Sequence, residues 1–149
     1  MDSNDSARLL IEKVVTKRAE ETLKEVRRHF PEATVNTEVT DGRGILTACH
    51  GRFVVTKEFV ETVESLSSAH RMTEYRHVLQ GKARLVLIVP KEMAAATFTR
   101  MLELNNWWLF YYQIYFYDAD GNIRRMDRKA WCNMVGRPFE AQPRAPEIV

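Results

Sequence analysis

The sequence predicts a single α/β domain in which a mixed sheet carries helices on both faces, and three stretches predict it. Residues 83–90 set Ala83, Leu85, Val86, Leu87, Ile88 and Val89 in near-continuous succession before Pro90. A strand that is apolar at consecutive positions is buried on both faces, so helices must cover the sheet on each side. Ahead of it lie an apolar stripe of helical period and then a segment of period two. After it the chain alternates again, with a helical stretch from Lys91 to Leu104 and an aromatic run from Trp107 to Tyr117.

The first element is a long helix. Ala7, Ile11, Val15, Ala19, Leu23, Val26 and Phe30 recur at steps of three and four and line one side of it. Lys13, Lys17, Glu20, Glu21, Lys24, Glu25 and Arg28 take the other, with Glu20 and Lys24 in the favourable i,i+4 order. Asp5 or Ser6 is suited to cap the start, and Pro31 ends it. From Ala33 the period changes to two, with Val35, Thr37 and Val39 on one face and Thr34, Asn36 and Glu38 on the other. Asp41-Gly42 supplies a tight hairpin turn, Ile45 to Cys49 the return strand, and His50-Gly51 a second break before a strand from Arg52 to Thr56. The reading is a three-stranded antiparallel meander, with one long strand bulged at Gly51 as the alternative.

Lys57 to Gln80 reads as helical, but Phe59, Val63 and Leu66 define one stripe while Met72, Tyr75 and Leu79 lie nearly opposite. Two helices are therefore expected, the second capped by Ser67 or Ser68 and closed by Gly81. The helix after Pro90 buries Met93, Ala94, Phe98, Met101 and Leu102 and ends at Asn105-Asn106. In the aromatic strand Trp108, Phe110, Tyr112, Ile114 and Phe116 point one way, and Trp107, Leu109, Tyr111, Gln113, Tyr115 and Tyr117 the other. Asp118 to Asn122 reads as a turn, followed by a short strand around Ile123 to Met126 and a helical turn at Arg128 to Met134. The domain is expected to span 1–135, and 136–149, with Pro138, Pro143 and Pro146, to form an extended tail.

Composition bounds the class. A chain of 149 residues that is 45% hydrophobic and 28% charged is globular and needs neither disulfide nor metal to fold. Cys49 and Cys132 have no ligand-like neighbours, the start is polar, and no apolar run approaches a bilayer span of about 20 residues. The expectation is a cytoplasmic protein without a membrane partner. The net charge of +2 divides unevenly: residues 1–70 stand at −2 and residues 71–149 at +4, which permits a basic patch in the second half.

The order helix, three-stranded meander, helix, strand, helix, strand over residues 7–117 resembles the PD-(D/E)xK nuclease superfamily, the restriction-endonuclease-like fold. The run Gly81-Lys82-Ala83-Arg84-Leu85-Val86-Leu87-Ile88-Val89-Pro90 is similar to the strand that follows the catalytic meander in such proteins. The resemblance implies phosphodiester cleavage by a metal held by an Asp opening the second strand and by the Glu of a Glu-x-Lys on the third, often with an acid from the first helix. Carboxylates hold the hard cation and the lysine orients the attacking water. Asp41 corresponds to the first acid and Glu12 or Glu20 to the helix acid, but the matched stretch reads Thr47-Ala48-Cys49-His50-Gly51-Arg52, and the chain contains no Glu-x-Lys. Lys57 and Glu58 are the candidates for a displaced form of it. The resemblance therefore implies a non-catalytic relative, with a metal-dependent nuclease built on Asp41, Lys57 and Glu12 as the alternative.

Other constellations are weaker. His70, Glu74 and His77 share one face of a helix and are three candidate metal ligands, although a solvated helix face is the favoured explanation. Asp118-Ala119-Asp120-Gly121-Asn122 opens like a calcium loop, but its glycine falls early and Lys129 stands where the closing Glu belongs. Cys49 and His50, adjacent on a strand, point to opposite faces and make no nucleophile–base pair. The ring-rich face of Trp107, Tyr111, Tyr115 and Tyr117 has three explanations: a covering helix, a homodimer interface, or base stacking beside Arg124, Arg125, Arg128 and Lys129. No cofactor motif is present. The expected function is macromolecule binding, with nucleic acid ahead of protein.

Overall fold

The computed structural model describes residues 3–102 and 111–138. Helix α1 (Ser3–Arg27) leads into strands β1 (Thr34–Thr40), β2 (Arg43–His50) and β3 (Phe53–Val60). Helices α2 (Val63–Leu66) and α3 (Arg71–Gln80), strand β4 (Arg84–Pro90), a 3-10 turn at Lys91–Met93 and helix α4 (Ala94–Met101) follow. Strands β5 (Tyr112–Tyr117) and β6 (Ile123–Arg125) and helix α5 (Arg128–Val135) complete the described chain.

One six-stranded sheet runs in the order β1-β2-β3-β4-β5-β6. The first three strands form an antiparallel meander, β3, β4 and β5 run parallel, and β6 returns antiparallel. Strand order follows chain order, so among the described strands there is no topological switch point of the kind that opens a ligand crevice in doubly wound folds. Phe59, Leu85, Leu87, Ile114 and Phe116 face Tyr75, Leu79, Ala94 and Met101 of α3 and α4, with Trp131 and Met134 of α5 packed against them. On the other face Leu46, Val60, Val86, Ile88 and Tyr117 meet Ile11, Val14 and Val15 of α1. From Leu85 to Val89 every β4 side chain is buried, as a doubly covered strand requires.

The turn at Asp41 (φ 50°) and Gly42 (φ 72°) is the two-residue hairpin that the meander needs, both residues at positive φ. Two further features tie the layers together. The carboxyl end of β3 is pinned by Glu61, whose backbone N–H donates to Ile88 O at 2.9 Å and whose carbonyl accepts from the Tyr117 hydroxyl at 2.7 Å. Gly44 lies directly under α1: a Cβ there would sit 2.2 Å from Val15 Cγ2, so only glycine permits this approach of helix to sheet.

Several boundaries differ from the sequence expectation. Helix α1 starts at Ser3, so Asp5 lies in its first turn, where a negative charge is favourable, and does not cap it. Its buried face comprises Ile11, Val14, Val15, Arg18, Thr22 and Val26, whereas Ala7 is exposed and Ala19 and Leu23 are half-buried. Strand β3 continues through Lys57 to Val60, where a helix was expected, because residues 56–60 pair in register with β4. The meander reading stands, with the hairpin turn at Gly51 and a bulge between Ala48 and Cys49. The expected pair of helices is present, but His70 occupies the cap position of α3 and Ser68 offers only a 3.4 Å contact to its N–H. Trp107, Trp108 and Phe110, the end of the helix at Asn105-Asn106, and the tail from residue 139 lie outside the described residues.

Candidate nucleic-acid interface

The sheet ends at β6, a three-residue edge strand whose Arg124 and Arg125 are exposed. Asp127 accepts the Ala130 N–H at 2.8 Å and caps α5, so that helix starts one turn after the strand and aims Lys129 back toward it. The parallel pairing of β4 with β5 brings Pro90 opposite Tyr117, which sets Lys91 and Asp118 side by side at the carboxyl ends of the two strands. These elements form an open groove of about 500 Å³ whose charged lining is Lys91, Asp118, Arg124, Arg125, Asp127 and Lys129, with Asn122, Asn133 and Phe116 beside them.

The charge in this groove is net positive. Asp118 accepts from the N–H groups of Asp120 and Asn122 at 2.9 and 3.0 Å and from the Asn122 amide at 3.2 Å. Those bonds, chiefly from Asn122, hold its pKa below the ordinary carboxylate value, with Lys91 adding to the effect. Asp127 is occupied with its cap. Among the described residues no ion pair involves Lys91, Arg124, Arg125 or Lys129, so four cations outnumber the two carboxylates, Asp118 and Asp127, that share the groove with them. Such an arrangement attracts a polyanion and repels a second cationic surface. Arg128, the third residue of the sequence cluster, is exposed on α5 but does not line the groove. Lys91 was missed; the sequence signal for it was the end of the apolar strand at Pro90, beside which the aromatic strand also had to end.

The nuclease candidates are not brought together. Asp41 sits exposed at the tip of the β1–β2 turn, beside a cleft of about 460 Å³ lined by Arg8, Thr62 and Glu64. Glu12, on α1, pairs with Arg8 at 3.1 Å. Lys57 shares a strand face with Phe59, on the side of the sheet away from α1, and donates to Thr47 Oγ1 at 2.8 Å. The third strand does carry a carboxylate, Glu58, but it is fully buried against α1. It accepts from Arg18 Nε at 2.6 Å, Thr22 Oγ1 at 2.9 Å and Thr56 Oγ1 at 3.1 Å, with Arg84 Nη2 at 3.3 Å. Burial works against the Arg18 guanidinium, yet Glu58 and then Glu25 outweigh it and hold its pKa above the ordinary value.

The remaining candidates have structural partners. Glu74 is held by Arg43 at 2.9 Å and Arg71 at 3.3 Å, while His70 and His77 stay exposed. Among the described residues no group of three or more His, Cys, Asp or Glu is disposed to hold a metal ion. Tyr115 and Tyr117 are covered by α1, the first of the three explanations for the aromatic strand, with the Arg18 guanidinium 4.5 Å over the Tyr115 ring. Tyr111 remains exposed, and Trp107 lies outside the described residues. No described helix is long and apolar enough to cross a membrane.

Comparison with known family models, with curated proteins and with solved structures finds no match to this chain.

Proposed function

We propose that this protein is a non-catalytic nucleic-acid-binding α/β domain that uses the groove between β6 and α5, with Lys91, Arg124, Arg125 and Lys129 contacting phosphates. The observation that carries the reading is the charge balance of the groove: Lys91, Arg124, Arg125 and Lys129 line it against two carboxylates, Asp118 and Asp127, each of which accepts hydrogen bonds from backbone N–H groups of its own turn. Phosphate contacts of this kind supply affinity and position without sequence information. The element order helix, meander, helix, strand, helix, strand, with β3, β4 and β5 parallel, supports kinship with the PD-(D/E)xK fold. The dispersal of Asp41, Glu12 and Lys57 supports the non-catalytic form of it.

The face of β6 toward α1 favours the same groove by contrast. There Lys17 and Arg18 lie among Glu20, Glu21 and Glu25, so a phosphate chain is repelled on that side. The test is binding of a labelled duplex and a labelled single strand at low salt to the wild type and to Arg124→Glu/Arg125→Glu, with manganese added in parallel to detect cleavage. The expected result is binding by the wild type, loss of at least tenfold in the variant, and intact strands. Equal binding by both proteins refutes the groove, and cleavage refutes the non-catalytic reading.

A further inference from the structure

The opposite edge of the sheet, β1, has no partner strand on its outer side among the described residues and carries the sequence Thr34-Val35-Asn36-Thr37-Glu38-Val39-Thr40. Read from either end it is Thr-Val-polar-Thr-polar-Val-Thr, a palindrome about Thr37 but for Asn36 and Glu38. We propose that β1 pairs antiparallel with β1 of a second copy of this chain, on a twofold axis through Thr37, and joins two six-stranded sheets into one.

The backbone supports this register. In a two-residue turn with positive φ at both Asp41 and Gly42, the flanking Thr40 and Arg43 form a hydrogen-bonded pair. Alternation along an antiparallel ladder then turns the N–H and C=O groups of Thr40, Glu38, Asn36 and Thr34 toward β2. Those of Val39, Thr37 and Val35 face outward, where no strand of the described residues pairs with them. An axis through Thr37 sets Thr37 opposite its own copy and Val35 opposite Val39 of the second copy. Every opposed pair on the axis side thus combines outward-facing groups with outward-facing groups; a shift by one residue would oppose outward groups to inward ones.

The side chains agree with the backbone. Val35 and Val39 are half-buried on the α1 face and pack on each other across the axis, and Thr37 meets Thr37. On the other face the departure from the palindrome is what two copies require. Glu38 lies opposite Asn36, so each carboxylate meets an amide donor, where a strict palindrome would have set two glutamates face to face. Five of the seven residues are Thr or Val, and the strand has one charge and no proline, so it lacks the usual devices that keep a long edge single. Edge β6 differs: three residues long, with adjacent arginines, it is protected against self-pairing. Because β1 and β6 bound opposite ends of the sheet, the dimer leaves both basic grooves open. At about 4.8 Å per strand they would lie up to roughly 50 Å apart.

The test uses the full chain alone, without nucleic acid. Sedimentation equilibrium over a concentration series up to the millimolar range is combined with amide exchange at Val35, Thr37 and Val39. The expected result is a monomer–dimer equilibrium in which these three amides slow by about tenfold as the dimer fills, while exposed amides of α5 do not. Thr37→Pro removes the donor on the axis without touching the β2 ladder and is expected to give a monomer. Should that variant fail to fold, Thr37→Lys opposes like charges on the axis and serves the same purpose, and Tyr111→Ser is expected to leave the dimer intact. A chain that stays monomeric throughout overturns the proposal. So does a dimer that survives the Thr37 variants with unchanged exchange at β1.

Discussion

Replacing Arg18 by Met should destabilise the fold far more than a helix-surface substitution, although the sequence sets Arg18 among the polar residues of a long helix. Its side chain is only 3% exposed and Glu58 is fully buried. The change removes the 2.6 Å charged hydrogen bond to Glu58 Oε1 and the contact of Arg18 Nη2 with Glu25 at 3.5 Å. It leaves a carboxylate in the interior with two threonine hydroxyls and a partly exposed Arg84 to compensate it. Breaking a buried pair from one side costs about 3–5 kcal/mol, a large share of a typical stability of about 5–15 kcal/mol. At about 2–4 °C per kcal/mol, the melting midpoint should fall by roughly 6–20 °C. The double variant Arg18→Met/Glu58→Met should lose less than the single one, since no charge is then stranded: Arg84 keeps Glu25 at 3.1 Å and reaches solvent. Urea denaturation of the four proteins of this cycle measures both quantities. A single-variant loss under about 1 kcal/mol, or a double variant that loses the sum, would refute the claim that the two charges hold α1 to the sheet.

Other expectations are narrower. Gly44→Ala drives a methyl group into Val15 and should cost on the order of 1–3 kcal/mol in denaturation; an unchanged midpoint would contradict the close approach of α1. Burial raises the pKa of Glu61, and Arg43, held at 2.6 Å, opposes this only in part, so the folded state binds the proton more tightly than the unfolded chain does. The contribution of this group to stability therefore grows as pH falls through its folded pKa and levels off below the ordinary value of 4.5. Wild-type stability should rise relative to Glu61→Gln as pH is lowered from neutral toward that value, and a pH-independent difference would contradict it. Asp127→Ala should cost about 1 kcal/mol through the lost cap of α5, read as a local rise in amide exchange at Ala130.

The apolar strand, the long first helix and the meander were legible because their burial is written in local periodicity. Ala83 to Val89 could be nothing but a doubly covered strand, and Asp41-Gly42 specified its own turn. The end of the third strand was misread because Lys57, Glu58 and Glu61 are good helix formers, and nothing local marks Glu58 as a buried carboxylate. Its partner is Arg18, forty residues earlier in the chain, and no window of sequence shows a pair at that separation. The same pairing explains the misplaced stripe of α1: Arg18 and Thr22 face inward where Ala19 and Leu23 had the more apolar side chains. In the groove, Arg124, Arg125 and Lys129 were visible as a cluster. Lys91 was not, because its place depends on β4 and β5 ending together.

The most direct test of the central claim is the salt dependence of duplex binding. Four cations neutralising four phosphates give a slope of about −3 to −4 in log K against log salt, and removing one, by Lys129→Ala or Lys91→Ala, should reduce its magnitude by about 1. No binding at low salt, or a slope that neither substitution changes, would contradict a phosphate-binding groove between β6 and α5.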